Sequence, residues 1–553
     1  MNKNELVINL MSRGVLISPD FIDNLSESEN FEEFFKDVII KSKFSPLVIN
    51  KEFYDSFKLK KPTGDINWLE FERAKVSFEK NKDDGDYDSF VSLLNARNKK
   101  EVDLQIVVEN KDNFNMINNN EGTVNIVDCY EDQENFGRSV QDFVSYFKSR
   151  YELLRTILSS RPELITSISI NRIEKKPQGE QISIIGMVAK KDTTKNGNFI
   201  INVEDPTGNI NLLIMKNKPE LFFLANDIVM DEVVGINGVL GKDIIYVNEI
   251  FFPEVPLNKE FKKAPHEGYV VFLSDIHFGL DKFIVDDFLK LVSWLNGNYG
   301  TEKQREIAKK VKYIFMCGDI VEGVGVYPGQ ESELVIQDIY DQYEEAAKYI
   351  RMIPGHIKII INGGNHDAMR IAEPQPKFDK KICKSFYEIP NLTIVSNPAL
   401  VNIHANSDFP GFDILMYHGY SFPYYSENVP SIKSKGGMER CDLIMKFLLQ
   451  KRHLSPTHGS NLYVPDSRGD SLVIKKVPDF FISGHIHKIV ASNYKNITLI
   501  NSSCWVTQSE DNAKRGIVPH PAKVPIVDLQ TREIKIMNFL SDENEKKNLI
   551  YSR

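Results

Sequence analysis

The stretch Gly363-Gly364-Asn365-His366-Asp367 follows directly on the apolar run from Ile357 to Ile361. Four more short polar pieces follow apolar runs in the same way: Asp275-Ile276-His277, Gly318-Asp319-Ile320-Val321-Glu322, His418-Gly419 and Gly484-His485-Ile486-His487. The runs alternate with longer helical patterns, which is the rhythm of an α/β sandwich. Since open α/β sheets bind ligands at the carboxyl ends of their strands, we expect the five pieces to meet there.

The five pieces together contain the side chains that hold paired divalent cations. Such cations require hard oxygen and borderline nitrogen ligands, with one carboxylate shared between them. The predicted metal ligands are Asp275, His277, Asp319, Asn365, His418, His485 and His487. Taken alone, His418 also fits a buried core histidine, and Glu322 fits a supporting or surface residue better than a ligand.

His366 is left over from this ligand set and is the predicted catalytic histidine. Two neighbouring cations bind a phosphodiester, lower the pKa of a bridging water and neutralise charge on the phosphoryl oxygens. A nearby histidine can then stabilise or protonate the leaving oxygen. We expect His366 to do this, with Asp367 orienting its imidazole.

The totals limit the class of protein. At 553 residues the chain is too long for one core, and about three to four domains are expected. A formal net charge of -9 argues against a generally basic, DNA-coating protein. Five scattered cysteines without a Cys-x-x-Cys pair fit a reducing compartment. Neither an export signal nor a membrane-spanning run is recognisable, so we expect a cytoplasmic protein.

The N-terminal third has three predicted parts. Residues 1–45 have the apolar stripes of a small helical module, which either docks on a partner or forms a self-contained cap. Residues 80–122 are rich in Asn, Asp and Lys and predict a flexible linker. Apolar residues at three-to-four spacing predict an amphipathic helix over 137–160.

Residues 164–256 change to an alternating pattern, through Ile168, Ile170, Ile182 and Ile184 and again through Phe199 to Val203. This period predicts half-buried strands, and about five strands in this length indicate an OB-type barrel. Such barrels often bind single strands, yet only Phe199 offers an aromatic platform here. DNA binding and a structural or subunit-contact role both remain open for the barrel.

The order of the five pieces resembles that of calcineurin-like metallophosphoesterases. Within them, the chain is most similar to the small (exonuclease) subunit of archaeal D-family DNA polymerases. The supporting stretches are Val326-Tyr327-Pro328-Gly329-Gln330, Asp338-Ile339-Tyr340, Ala372-Glu373-Pro374-Gln375-Pro376, Arg452-His453-Leu454-Ser455-Pro456 and Pro478-Asp479-Phe480. The expected fold is multidomain α/β, with an αββα metallophosphoesterase sandwich over 266–545 preceded by the barrel and the helical module.

The resemblance implies particular roles. One metal would be held by Asp275, His277, Asp319 and His487, and the other by Asp319, Asn365, His418 and His485, with Asp319 bridging. It also implies Mn²⁺ as the usual ion (Mg²⁺, Fe²⁺ or Zn²⁺ being possible) and 3′–5′ exonuclease activity on single-stranded DNA ends. The implied partner is a catalytic large subunit, with a sliding clamp reached through the complex. Nothing in the chain resembles a polymerase active site, so synthesis is expected from that partner.

Two other functions fit parts of the sequence. A non-catalytic polymerase scaffold would retain metals for stability, although such a site has no need of His366. A protein phosphatase of the same fold usually has Asp-Arg-Gly after its Gly-Asp, whereas Ile320, Val321 and Glu322 stand here. One departure from the family concerns Tyr420 to Tyr425, which is aromatic where paired acidic residues are expected.

Overall fold

The computed structural model describes residues 123–132, 138–466, 468–508, 518–542 and 544, and the main chain of two short strands before them. Those strands, β1 (Leu16–Ile17) and β2 (Val48–Ile49), pair in parallel. The chain divides into two compact units, Met1–Met116 and Ile117–Arg553. The helical module predicted over 1–45 and the linker predicted over 80–122 otherwise lie outside the described residues.

Ahead of the barrel come a strand, a helix and two short 3-10 turns. The strand β3 spans Val124–Cys129, and the helix α1 spans Val140–Ser159. The 3-10 turns are Pro162–Leu164 and Ile170–Lys175. The strand expected around Ile168 and Ile170 is therefore wrong, because Ile170 opens a helical turn and buries its side chain against the barrel core. The sequence analysis did not foresee β3, since most of its side chains are exposed and show no alternation.

The predicted barrel is present and closed. Its strands follow the order β4-β5-β6-β8-β7. They are β4 (Gln181–Thr193), β5 (Phe199–Asp205), β6 (Gly208–Ile214), β7 (Val233–Leu240) and β8 (Ile244–Phe251), with the helix α2 (Pro219–Asn226) after β6. Phe199 is buried and stacks on Phe222 with ring centroids 4.3 Å apart. Phe199 therefore belongs to the barrel core and offers no face to a nucleic-acid base.

Two six-stranded sheets form the rest of the unit. The first has the order β12-β11-β10-β9-β18-β19 and the second β16-β17-β15-β14-β13-β3. The bounds are β9 (Tyr269–Leu273), β10 (Val311–Cys317), β11 (Lys358–Asn362), β12 (Leu392–Ile394), β13 (Ala399–Ile403), β14 (Phe412–Met416), β15 (Phe480–Ser483), β16 (Val490–Tyr494), β17 (Ile497–Asn501), β18 (Lys523–Asp528) and β19 (Ile534–Asn538). In the first sheet β9, β10 and β11 run parallel, and in the second β14 and β15 do.

Helices cover the outer faces of both sheets. They are α3 (Val285–Leu295), α4 (Glu302–Ala308), α5 (Ile339–Arg351), α6 (Lys384–Tyr387), α7 (Phe422–Asn428), α8 (Pro430–Lys433) and α9 (Cys441–Lys451), with 3-10 turns at Gln330–Ser332 and Gly437–Arg440. Apolar residues of both sheets, among them Phe272, Phe315, Ile414 and Ile482, share one core between the sheets. This is the predicted αββα sandwich, and it confirms the expected fold class.

The barrel and the sandwich are joined by buried polar contacts. On α1, the Tyr151 hydroxyl donates to the Ile185 carbonyl of the barrel at 3.1 Å. On α9, Lys451 pairs with Glu232 at 2.6 Å, and both side chains are almost completely buried. Among the described residues, no helix combines the length and the apolar character needed to cross a membrane.

Candidate metal centre

The five predicted pieces lie at the carboxyl ends of β9, β10, β11, β14 and β15. Because the two sheets face each other, these ends converge on one spot, and the loops are hydrogen-bonded together there. Asp275 N–H donates to the Gly318 carbonyl at 3.1 Å, and His277 N–H donates to the Asp319 carbonyl at 3.1 Å. Between strands of the second sheet, Gly484 N–H donates to the His418 carbonyl at 2.9 Å. These main-chain bonds join the loops in pairs within each sheet. Predicted ligand carboxylates join the rest, because His366 N–H donates to Asp319 Oδ1 and His485 N–H donates to Asp275 Oδ1.

One side of the cluster gathers Asp275, His277 and His487. Their nearest potential ligand atoms all lie within 4.8 Å of one another. His487 Nε2 is 3.3 Å from Asp275 Oδ1, and 3.2 Å from His277 Nε2. Two imidazole nitrogens and a carboxylate oxygen thus point at the same small volume, as the ligands of one cation do.

The other side gathers Asp319, His418, His485 and Asn365. His418 Nε2 lies 3.2 Å from Asp319 Oδ2 and 3.0 Å from Asn365 Oδ1. Asp319 also belongs to a group with His277 and His366, and its Oδ2 is 4.0 Å from His277 Nε2. All seven predicted ligands are therefore brought together, and Asp319 stands between the two sides.

The backbone of this cluster is unusual. Five of the seven predicted ligands have left-handed backbone angles: Asp275 (φ 51), His277 (φ 57), Asp319 (φ 49), His485 (φ 67) and His487 (φ 56). Residues with a Cβ avoid this region, at a cost of about 1 kcal/mol or more each. Strain of this kind persists where the surrounding structure fixes a functional geometry. Here it turns each side chain towards the common centre immediately after its strand.

Two hydrogen bonds orient the histidine rings from behind. The Nδ1 of His277 lies 2.7 Å from Glu322 Oε2, and the Nδ1 of His418 lies 2.9 Å from the Cys317 carbonyl. Glu322 is itself held by the Tyr327 hydroxyl at 3.1 Å and by Gln330 Nε2 at 3.0 Å. Such partners fix the tautomer of a metal-binding histidine and leave Nε2 for the metal. Glu322 is therefore a supporting residue, one of the two roles that the sequence left open.

Sequence reasoning overlooked the two residues that hold Glu322. Tyr327 and Gln330 lie in a loop without periodicity, and no chemical pattern marks them as part of a site. The available signal was their place in the stretch Val326 to Gln330, which supported the family resemblance.

His366 lies beside this centre, with 19% of its side chain exposed. Its main-chain N–H donates to Asp319 Oδ1 at 2.8 Å, and its Nδ1 is 3.0 Å from the Glu322 carbonyl. Burial lowers the pKa of His366, but the charges of Asp319 and Glu322 outweigh this and raise it to about 9. The imidazole therefore tends to hold a proton.

Asp367 has a different environment from the one expected. Within the described chain, its carboxylate accepts hydrogen bonds from the main-chain N–H groups of Gly364, Ile320 and Val321 and from the Tyr343 hydroxyl. Burial, followed by the nearby Asp319 charge, raises the pKa of Asp367 to about 7. The Asp367 side chain therefore fixes the main chain of its loop and does not orient the His366 imidazole. Glu322 is the residue that contacts the His366 ring.

Charge couples the cluster internally. Burial opposes ionisation of Asp319, but His418 and His366 outweigh it and hold the pKa of Asp319 well below its usual range. Burial lowers the pKa of His418 and Asp319 raises it, with a net value of about 10. For His485, burial and the His418 charge lower the pKa to about 3. Since metal binding displaces protons from its ligands, these charges link cation affinity to pH.

This donor set fits two divalent cations. It consists of two carboxylates, one amide oxygen and four imidazoles, which suit Mn²⁺, Fe²⁺ or Zn²⁺. The approach of the His277 and His487 Nε2 atoms to 3.2 Å is the observation that tests the fit. Two ring nitrogens at this distance share at most one proton, whereas a cation satisfies both lone pairs.

Comparison with known proteins places the chain in a family. The family model of calcineurin-like phosphoesterases matches residues 268–489, which include every predicted ligand. The DNA polymerase II small subunit of Methanothermobacter thermautotrophicus is 41% identical over 401 residues, covering 72% of this chain and 80% of the relative. That of Methanocaldococcus jannaschii is 39% identical over 411 residues, covering 73% and 67%. That of Pyrococcus furiosus is 38% identical over 403 residues, covering 72% and 64%. This chain belongs to the family of DNA polymerase II small subunits and carries its calcineurin-like phosphoesterase domain.

Proposed function

We propose that this chain is a two-metal 3′–5′ exonuclease that hydrolyses phosphodiester bonds at single-stranded DNA ends. The convergence of seven ligand side chains, with Asp319 between the two sides and His366 alongside, carries this proposal. Asp275, His277, Asp319 and His487 would hold one cation, and Asp319, Asn365, His418 and His485 the other. Residues 266–545 would form this exonuclease domain, and the barrel within 164–256 an accessory domain.

When bound, the cations supply a water of lowered pKa and neutralise charge on the phosphoryl oxygens. The protein side chains perform the rest. The Glu322 carbonyl accepts a hydrogen bond from His366 Nδ1–H, and in the protonated imidazole Nε2–H is then the donor for the leaving 3′ oxygen. The charges of Asp319 and Glu322 favour this protonated form by raising the pKa of His366. Asp367 takes part by fixing the loop that presents Asn365 and His366.

The partners follow from the family name and from the charge. Relatives named small subunits imply a large subunit, which would carry synthesis and deliver strands to this site, with a sliding clamp reached through the complex. The net charge of -9 disfavours tight DNA binding by this chain alone, so the large subunit would supply most of the DNA affinity. Mn²⁺ is the proposed metal, because the mixed oxygen and imidazole ligands suit a borderline cation.

The test uses the full chain with Mn²⁺, alone and with its large subunit, on 3′-labelled single-stranded DNA. We expect release of mononucleotides, a loss of about 10²–10⁴-fold in His366→Ala, and unchanged metal content in that variant. His356→Ala is the matched control, because His356 is exposed and lies before β11, at the end of the strand opposite Asn365. Activity of His366→Ala equal to that of the unaltered chain would refute the role of His366.

Two other substrates decide between the proposed function and its alternatives. A phosphopeptide hydrolysed in preference to DNA would indicate a phosphatase. The sequence after Asp319 disfavours this, since Ile320 and Val321 are buried core residues with no group to grip a phosphate. Inertness towards DNA, phosphopeptide and a simple diester, even with the large subunit, would indicate a scaffold that keeps its metals for stability.

A further inference from the structure

Tyr420 is an aromatic residue at the rim of the metal centre that the proposed mechanism does not use. Its ring centroid lies 5.5 Å from that of His485, at an interplanar angle of 62°. The side chain is partly exposed, whereas Tyr417 and His418 just before it are buried. Within the described chain, the Tyr420 hydroxyl makes no hydrogen bond. The ring therefore packs against a predicted metal ligand and is in part accessible to solvent.

The main chain fixes where this ring sits. Gly419 adopts φ 110, a conformation that a side chain would strain, and so reverses the chain after His418. The turn is closed by the Phe422 N–H, which donates to the Gly419 carbonyl at 2.9 Å. Phe422 and Tyr425 are buried in the core beneath. Tyr420 therefore stands on a rigid turn, and ordering it on a ligand would cost little conformational entropy.

A second tyrosine near the centre is engaged differently. Tyr327 lies beside His366, with ring centroids 6.3 Å apart. The single proton of its hydroxyl is shared between Glu322 Oε1 at 3.1 Å and Glu333 Oε2 at 3.0 Å. Tyr327 is thus a positioning residue that holds Glu322. Tyr420 differs from Tyr327 in that its hydroxyl makes no hydrogen bond among the described residues, while its ring contacts His485.

We propose that Tyr420 stacks on the base of the 3′-terminal nucleotide while the phosphodiester of that nucleotide lies at the metal centre. This inference rests on the proposed exonuclease function and names the substrate feature that the site recognises. Every base has a flat π-face, so a single aromatic ring gives affinity for nucleotides without preference for sequence. The Tyr420 side chain would thus favour nucleic-acid ends as substrates over phosphodiesters that lack a base.

The position of Tyr420 supports the terminal base over the penultimate one. His366 is the proposed donor to the leaving 3′ oxygen, which belongs to the penultimate nucleotide. Tyr420 contacts His485, a predicted ligand on the Asp319–His418 side, while His366 packs against His277 at 4.7 Å between ring centroids. The ring is therefore on the side away from the leaving group, where the nucleotide to be released would lie.

The test compares Tyr420→Ala with Tyr420→Phe on oligothymidylates that carry either a normal or an abasic 3′-terminal nucleotide. On the normal substrate, Tyr420→Ala should raise KM about five- to hundredfold with kcat little changed, and Tyr420→Phe should stay close to the unaltered chain. On the abasic substrate, Tyr420→Ala should have no further effect. Tyr424→Ala is the control for packing, since Tyr424 is in the same segment but packs on Tyr425.

A binding measurement supplies a readout besides activity. In a His366→Ala background with Mn²⁺, an oligothymidylate ending in 2-aminopurine should lose fluorescence on binding, because stacking quenches this base. Adding Tyr420→Ala should abolish the quenching. Equal quenching with and without Tyr420, or an equal KM increase on normal and abasic substrates, would overturn the stacking role. If the unaltered chain with its large subunit cleaves neither oligothymidylate, the exonuclease proposal itself fails.

Discussion

Two buried clusters in this protein combine histidine with aspartate, and they are built on opposite principles. In the first, the metal centre, His277 Nε2 and His487 Nε2 approach to 3.2 Å with carboxylates beside them. In the second, which we call the anchor cluster, Asp470 is surrounded by Arg150, His453 and Tyr146. Most side chains of both clusters are buried. The first brings hydrogen-bond acceptors together, whereas in the second both oxygens of Asp470 accept from donors.

The anchor cluster is internally complete at Asp470. Its Oδ2 accepts from Arg150 Nε at 2.7 Å and from His453 Nε2 at 2.8 Å, and its Oδ1 accepts from the Tyr146 hydroxyl at 2.7 Å. The Ser455 N–H donates to His453 Nδ1 at 2.9 Å, which places the ring proton on Nε2. The cluster ties α1 to the loop before β15. Complementary donors therefore mark a structural histidine, and converging acceptors mark a metal-binding histidine.

The sharpest way to break this contrast is Asp319→Asn. The substitution removes the carboxylate between the two sides while keeping its shape, so we expect exonuclease activity to fall by about a thousandfold or more. Bound Mn²⁺, measured by mass spectrometry after dialysis, should fall below two per chain. Thermal stability without added metal should also fall, because the lowered pKa of Asp319 means that the folded chain stabilises its charge. Full activity with two bound ions would contradict the assignment of Asp319.

The equivalent change in the anchor cluster, Asp470→Asn, should act on stability. It leaves the Arg150 charge buried without its partner, and we expect a loss of about 3–5 kcal/mol in the free energy of unfolding. Urea denaturation followed by circular dichroism measures this. Glu152→Gln is the control, since Glu152 pairs with Arg155 on the exposed face of the same helix and should cost less than about 1 kcal/mol. Equal losses in the two variants would show that the anchor cluster is not a stabilising unit.

The pH dependence of the free energy of unfolding should show that His453, the histidine of the anchor cluster, is neutral in the folded chain. Burial, followed by the Arg150 charge, lowers the pKa of His453 from 6.5 to about 4. Between pH 6.5 and 4, His453 is protonated in the unfolded chain but neutral in the folded chain. The free energy of unfolding therefore decreases as the pH falls from 6.5 towards 4. The expected loss from this group is about 2–3 kcal/mol. His453→Gln should flatten the dependence in that window, as measured by urea denaturation at stepped pH, and an unchanged slope would refute the assignment.

The smallest expected effect is a loss of metal affinity on substitution of Glu322, which supports the predicted ligand His277. Glu322→Gln keeps an oxygen for the hydrogen bonds from Tyr327 and Gln330 but places an amide NH2 group in front of His277 Nδ1. His277 then loses its acceptor and the charge behind it, so Mn²⁺ affinity should fall about 10- to 100-fold. Isothermal titration calorimetry measures this affinity. Glu333→Gln is the matched control, because Glu333 also accepts from Tyr327 but has no contact with a predicted ligand among the described residues. A fall of the same size in Glu333→Gln would assign the effect to Tyr327 and not to Glu322.

Much of the fold was predictable because several strands are short apolar runs, each followed by a polar piece at its carboxyl end. The apolar run from Ile357 to Ile361 lies within one residue of the strand β11 (Lys358–Asn362). The strand β3 was missed because an edge strand with exposed side chains has no alternating pattern. Ile170 was misjudged because two isoleucines at spacing two fit a strand locally, whereas packing against the barrel selected a 3-10 turn.

The amino-acid sequence by itself determined the family, the order of the five polar pieces along the chain and the identity of the candidate ligands. These depend on residue type and spacing along the chain. Only the tertiary structure decided which partner each polar group meets. It assigned Glu322 to the rings of His277 and His366, turned Asp367 towards main-chain N–H groups, and buried Phe199 in the barrel. The reason is physical: hydrogen bonds and burial depend on distances between residues far apart in sequence, which the packing of two sheets fixes.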